Sequence, residues 1–328
     1  MSVPQIYGVL VTFERQAILA ETICKILQQS KLPDLLLVID NEASSETEEI
    51  VKGLQSESNK TEIRYLSTEE NLGSAGGWAY GMQHILLEAS NEDWFLPLDD
   101  DDPPKSNFEL EKIFQFALEQ QQCNPSLAAV GIVGAYFSWK TGRIQRITDN
   151  ELQEEVSVDW LGNGHVPLYS IKAIRDVGVF QKELFFGYTE VEFGLRLRRA
   201  GYQLVVSGKM MKERRKNAGR LGWKETSSRQ CNSSWKNYYV SRNRIYMMRQ
   251  FGRWDLALKE AFIQSILKPA YTFLFSPRSA YAGFLQGVKA SWYGFFGPMG
   301  RQNHSGQPNN LPKQTTQTEP KKEFSCTR

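Results

Sequence analysis

Cysteine and histidine are scarce in this chain. Its 328 residues hold four cysteines, Cys24, Cys123, Cys231 and Cys326, and three histidines, His84, His165 and His304. No CxxC occurs and no two cysteines are neighbours, so neither a zinc site nor a disulfide framework is expected. No stretch reaches the roughly 18 continuous apolar residues of a spanning helix. The N-terminus lacks a charged-then-apolar signal segment, which makes a cytoplasmic location the expectation. Charge of one sign is also missing: Lys+Arg 39 stand against Asp+Glu 37, and no nucleic-acid partner is expected. No GxGxxG follows the first apolar run, and no GKS or GKT ends a glycine loop. A dinucleotide fingerprint and a P-loop are both excluded.

What is present is a sizeable core composition, 41% hydrophobic and 12% aromatic. Acids dominate up to about residue 160 and bases from Arg196 onward. Such a division suits an anionic substrate or an anionic membrane surface. Short apolar runs alternate with amphipathic segments: IYGVLVT (6–12), QAILAETICKILQQ (16–29), LLLVI (35–39), Ile63–Leu66, then NLGSAGGWAYG leading into a helix, and Trp94–Leu98. This alternation predicts an α/β fold, a mostly parallel sheet with helices on both faces. Residues 1–230 are expected to form that domain. Residues 231–300, aromatic and basic, form a mainly helical C-terminal region, and 301–328 a disordered polar tail. Residues 209–229, heavily basic, read as a mobile loop.

The sharpest feature is DWFLPLDDDDPP, residues 93–104. A buried-strand pattern ends in four carboxylates, Asp99 to Asp102, and two prolines stop the element. In open α/β sheets ligands bind at the carboxyl ends of strands. Adjacent carboxylates repel unless a cation shares them, and Mg²⁺ or Mn²⁺ takes such oxygens together with substrate phosphates. A solvated acidic turn is the plainer alternative. Asp40 ends the second strand, where an aspartate either contacts a ribose or base or simply caps the next helix. Thr12 and Glu14 end the first strand on the same edge. The glycines of Asn71–Gly77, Gly76 and Gly77 among them, permit a tight turn and close backbone approach to a ligand. Glu190 and Glu192 follow Phe185-Phe186, and a partly buried acid there suits a general base. Arg242, within YYVSRN, has the geometry for a phosphate.

Taken together these segments resemble family 2 glycosyltransferases of GT-A fold, in the branch of rhamnosyl- and galactofuranosyltransferases. VTFER, VIDNEAS, ENLGSAGGWAYG, LPLDDDD, the segment from WLGNGH to RRAGY, and YYVSRN occur in the family's order over about residues 6–250. The resemblance implies inverting, metal-dependent sugar transfer from a nucleoside-diphosphate sugar, of dTDP-rhamnose or UDP-hexose type, to a glycan or polyprenyl-linked glycan acceptor. That places the protein in cell-surface polysaccharide assembly. It makes Asp99 and Asp101 the metal ligands with Asp100 between them, Asp40 a donor contact near Thr12, and Glu190 the base with Glu192 its rival. The family's later metal-ligand histidine has no counterpart in SGKMMKERR, where Glu213 is the substitute on offer. The aromatic, basic C-terminal region fits peripheral contact at the inner face of the plasma membrane, or a homo-oligomer interface. A catalytically impaired nucleotide-sugar-binding protein and a nucleotidyltransferase are the competing readings.

Overall fold

Residues 3–57, 60–223 and 234–302 are described by the structure, a computed structural model. The expected tail, from 303 onward, and residues 224–229 of the basic segment lie outside them. The first half alternates as β1 (Ile6–Thr12), α1 (Gln16–Leu27), β2 (Leu35–Asp40), α2 (Ser45–Glu57), β3 (Glu62–Ser67), α3 (Gly73–Ile85), β4 (Trp94–Asp99), α4 (Glu109–Cys123) and β5 (Leu127–Gly131). β1 and β2 are buried along their whole length, which is why they read as unbroken apolar runs rather than alternating ones. Side chains of β1 point alternately to two cores. Val9 and Val11 meet Trp78 and Met82 of α3 on one face, and Ile6 and Leu10 meet Leu19 and Ile23 of α1 on the other.

The next strands are β6 (Gly134–Ser138), β7 (Arg143–Gln145), β8 (Glu155–Val158), β9 (Trp160–Leu161) and β10 (Leu168–Ser170). Then come α5 (Ile171–Val177), α6 (Thr189–Arg199), β11 (Gln203–Ser207) and α7 (Gly208–Asn217). An eight-stranded sheet has the order β3-β2-β1-β4-β10-β5-β11-β8. It is parallel except at β10, which runs against β4 and β5, and at the edge strand β8. The excursion expected over residues 137–160 supplies β8 and most of a small sheet, β7-β6-β9. The basic run from residue 209 is helical, not a loop, through Asn217: Ser207 caps α7 by accepting from the Met210 N–H. Cys24 is disulfide-bonded, a correction to the expectation from spacing, which speaks only to pairings close in sequence.

The helical C-terminal part is α8 (Ser234–Gln250), α9 (Trp254–Phe262), a π-helical turn (Ile263–Leu267), α10 (Lys268–Phe273) and α11 (Pro277–Phe295). α8 is the layer that joins it to the sheet domain. Tyr238 and Tyr239 pack with Phe185 on one side and Ala290 of α11 on the other. A buried ion pair, Arg244 to Glu260 at 2.8 Å, ties α8 to α9, and Arg143 of β7 reaches the same carboxylate at 2.9 Å.

Candidate active site

Strand order reverses beside β1: β2 and β3 lie to one side, β4 to the other. The carboxyl ends of β1 and β4 therefore open a crevice at a topological switch point, where α/β sheets bind ligands. Val11 pairs with Asp99 and Thr12 with Asp40 in register, so three of the sequence candidates share this edge.

The four aspartates divide by role. Asp100 is buried; its carboxylate accepts from Thr12 Oγ1 at 2.9 Å and from Arg15 Nη1 at 2.8 Å. Arg15 also contacts Asp101, which is otherwise exposed. Asp102 pairs with Lys105 and with His165 Nδ1, the latter at 3.2 Å. Burial works against its charge, but those two hydrogen bonds win and hold it down at about 2. Asp99 has no side-chain hydrogen bond or ion pair among the described residues. It is pushed up to about 8, first by burial and then by the charge of Glu190, ahead of its aspartate neighbours. Asp99 is thus a carboxyl group short of a counter-ion, and Glu190, from the start of α6, lies close enough to be its strongest electrostatic neighbour.

Glu190 has no ion-pair partner among the described residues, and burial raises its pKa. Its charge also adds to the burial that raises the buried phenol of Tyr169 on β10. Glu192, two residues on, is turned elsewhere. It is buried and holds Arg196 in a two-point pair, both contacts at 3.0 Å. Arg196 in turn donates to the carbonyls of Val177 and Val179.

The loop that delivers Glu190 has a strained backbone. Phe185 and Tyr188 both adopt positive φ, 61° and 65°, with Gly187 at 77° between them. Such conformations persist only where surroundings enforce them. The enforcement comes from α8. Asn243 Nδ2 reaches the carbonyl oxygens of Leu184, Phe186 and Gly187 at 2.9, 2.9 and 2.8 Å. Arg242 donates to Leu184 at 2.9 Å, to Glu183 at 3.3 Å and to Gly300 at 2.6 Å, and its Nε to Asn243 Oδ1 at 2.9 Å. Arg242 is 0% exposed, so it is a backbone clamp and not the phosphate ligand its sequence context suggested.

Other sequence candidates are also relocated. Gly76 and Gly77 sit inside α3, not in a loop. A Cβ on Gly77 would lie 2.5 Å from Val11, and one on Gly81 2.5 Å from Val9. These glycines bring the helix down onto β1 rather than a ligand onto the backbone. Gly73, at φ 69°, leaves no room for a Cβ beside the Phe185 carbonyl, so α3 abuts the Glu190 loop. Asn71 accepts from the Gly73 N–H at 2.8 Å and caps that turn. Asp40 is 0% exposed, and its carboxylate accepts from Glu42 N, Ser44 N and Tyr65 Oη. Shaping the loop before α2 is what it does here. Glu14 is exposed with φ 54°. Glu213 is exposed on α7, and among the described residues no three Asp, Glu, His or Cys side chains converge as a metal site. Sequence reasoning passed over Arg15, Tyr169 and His165, and it noted Asn243 only as a polar neighbour of Arg242 without giving it a role. Arg15 and Asn243 stand inside the VTFER and YYVSRN motifs, which was the available signal. His165 has none, because its approach to Asp102 is purely tertiary.

A mostly parallel sheet with paired acids over its switch point and a helical C-terminal part defines a GT-A domain. Comparison with known proteins agrees. Residues 9–163 match the family described as glycosyl transferase family 2. The galactofuranosyltransferase GlfT1 of Mycolicibacterium smegmatis (strain ATCC 700084 / mc(2)155) is 30% identical over 206 residues, 59% of this chain and 65% of the relative. That of Mycobacterium tuberculosis (strain ATCC 25618 / H37Rv) is 30% identical over 207 residues, 60% and 65% of the two chains. The match thus spans just under two thirds of each relative's length. Among solved structures, the mannosyltransferase PcManGT from Pyrobaculum calidifontis, in complex with GDP-Man and Mn²⁺, superposes with a TM-score of 0.50 over 88% of this chain and 86% of that one. At 10% identity this likeness concerns the fold.

Proposed function

We propose that the protein is an inverting glycosyltransferase that moves a hexosyl group from a nucleoside-diphosphate sugar to a glycan hydroxyl during cell-surface polysaccharide assembly. The observation that carries this reading is the pairing of two acids raised by burial and without ion-pair partners among the described residues, Glu190 at the start of α6 and Asp99 at the strand end, with the charge of Glu190 adding to the burial that raises Asp99. The first has the character of a general base, whose pKa works best near the operating pH. The second calls for a cation. The galactofuranosyl group is the first candidate for transfer, since the curated relatives are named for it. dTDP-rhamnose is the other donor the sequence motifs suggest.

A hard divalent ion, Mg²⁺ or Mn²⁺, fits the donor set. Asp99 and Asp101 would hold it, water and phosphate oxygens completing the shell, and the PcManGT structure contains Mn²⁺ with its nucleotide-sugar. When bound, such an ion neutralises charge on a leaving diphosphate. The chain's own residues do the rest. Glu190 takes the proton of the acceptor hydroxyl as that oxygen attacks the anomeric carbon. The diphosphate leaves from the opposite face, and one displacement inverts the centre. Glu192 is committed to Arg196, and Asp100 to Thr12 and Arg15, so both act by holding the cleft's walls. A polyprenyl-linked acceptor met at the inner face of the plasma membrane belongs to the same reading.

Calorimetry of the purified protein against a panel including UDP-galactofuranose and dTDP-rhamnose, with Mn²⁺ present, tests the proposal. Binding of one donor is expected, lost in EDTA and in Asp99→Asn. Binding of none removes the reading. Binding without turnover in the presence of acceptor glycans would make the protein a nucleotide-sugar-binding protein instead.

A further inference from the structure

The surface of the C-terminal helices is unlike that of the sheet domain. Of the 22 large hydrophobic side chains exposed among the described residues, 15 fall between Trp254 and Phe296. They are densest where α10 turns into α11. Tyr271, Phe273, Leu274 and Phe275 all face solvent there, the last two 75% exposed. An exposed apolar patch of this kind marks an interaction surface.

Its charge is one-sided. No Asp or Glu occurs between Glu260 and Glu319. Glu260 itself is buried against Arg244 and Arg143, and Asp255 is paired with Arg253. The charged groups flanking the α10–α11 turn are therefore Lys268 and Arg278, both exposed. Lys289, further along α11, lies over the Tyr238 and Tyr293 rings. An apolar tip between cations matches an anionic bilayer, with rings and leucine below the headgroups and bases among them. A second copy of the chain would bring the same cations and no acids to meet them, so charge complementarity selects the bilayer.

We propose that the α10–α11 turn is a membrane-inserting wedge, with Tyr271, Phe273, Leu274 and Phe275 entering an anionic leaflet and Lys268 and Arg278 seated at its headgroups. This rests on the transferase reading and adds to it the element that docks. The wedge is coupled to the cleft through packing already described. α11 lies on α8, and α8 clamps the Phe185–Tyr188 loop that carries Glu190. Docking thus fixes the base relative to the surface from which a lipid-linked acceptor would present its glycan.

Flotation of the full-length protein with phosphatidylcholine vesicles, with and without phosphatidylglycerol, tests the wedge. The protein is expected to float with the anionic vesicles and much less with the neutral ones. A triple substitution, Phe273→Ser, Leu274→Ser and Phe275→Ser, should abolish flotation. Lys268→Glu with Arg278→Glu should remove the preference for anionic lipid. Melting temperature and UDP titration should be unchanged in both variants, since these side chains face solvent far in sequence from the cleft. Three outcomes overturn the proposal: wild-type protein left at the bottom of the gradient, a triple variant that floats like wild type, or a sedimentation-detected dimer that the triple variant dissolves. UDP binding separates the two claims. A protein that binds UDP and does not float loses the wedge alone, and one that floats without binding UDP loses the transferase reading alone.

Discussion

Asn243 Nδ2 lies 2.8 Å from the carbonyl oxygen of Gly187. Through that contact and its companions at Leu184 and Phe186, a helix of the C-terminal layer fixes the strained loop three residues before Glu190. Asn243→Ala would leave three loop carbonyls without this donor, at about 1–3 kcal/mol for buried groups left unpaired. A base displaced by about 1 Å can cost on the order of 10²-fold in rate. The expected result is a lower kcat with donor KM nearly unchanged and a melting temperature reduced by several degrees. A kcat equal to wild type in the folded variant would show that the loop holds itself.

Asp99 sets a pH dependence of opposite sign to the usual one for a carboxylate. Its folded pKa is raised from 3.8 to about 8, so the folded state holds a proton there that the unfolded state releases. Stability is therefore present in full below pH 4 or so, falls as pH rises, and stops falling near 8. Asp102, held at about 2, contributes the other way, losing its stabilisation only in strong acid. Urea unfolding in EDTA between pH 5 and 9 should show the decline, and Asp99→Asn should make it shallower, Glu190, raised by burial, contributing with the same sign. A wild-type profile that rises across that window contradicts the assignment.

Arg15 supplies the counter-charge that Asp100 and Asp101 have without a metal. The pair is partly exposed, so Arg15→Gln should cost about 1 kcal/mol in metal-free protein. It should also tighten Mn²⁺ binding, because a competing cation has been removed. Electron paramagnetic resonance titration of Mn²⁺ reads this directly. Unchanged Mn²⁺ affinity would place the metal away from Asp101.

Glu192 is expected to matter for folding. Glu192→Gln weakens a buried two-point pair with Arg196, about 1–3 kcal/mol, and turnover per folded molecule should stay within a few fold of wild type. Loss of turnover at full stability would give Glu192 a role in the cleft.

The mostly parallel α/β sheet and the edge on which acids collect were legible because they follow from periodicity and strand ends, while the strand order was not. β1, β2 and β4 are continuous apolar runs, and Asp99 closes the last of them. What escaped is what depends on residues distant in sequence. Gly76 and Gly77 look like a loop until they are seen inside α3, where Gly77 becomes the spot at which the helix touches Val11 of β1 and Gly76 packs against Leu72. Arg242 looks like a phosphate ligand until its carbonyl partners arrive from residues 183, 184 and 300. The basic run at 209 looks like a loop because solvated charge and a polar helix share a composition. His165 comes to Asp102 from a turn whose local sequence says nothing of it.

The central claim is that Glu190 is the base and Glu192 is not, and steady-state kinetics of Glu190→Gln beside Glu192→Gln tests it most directly. Removing a general base typically costs about 10²–10⁴-fold. Glu190→Gln is predicted to lose turnover on that scale while binding donor as tightly as wild type. A Glu190→Gln enzyme with normal turnover, beside a Glu192→Gln enzyme that binds donor and transfers nothing, would contradict the account.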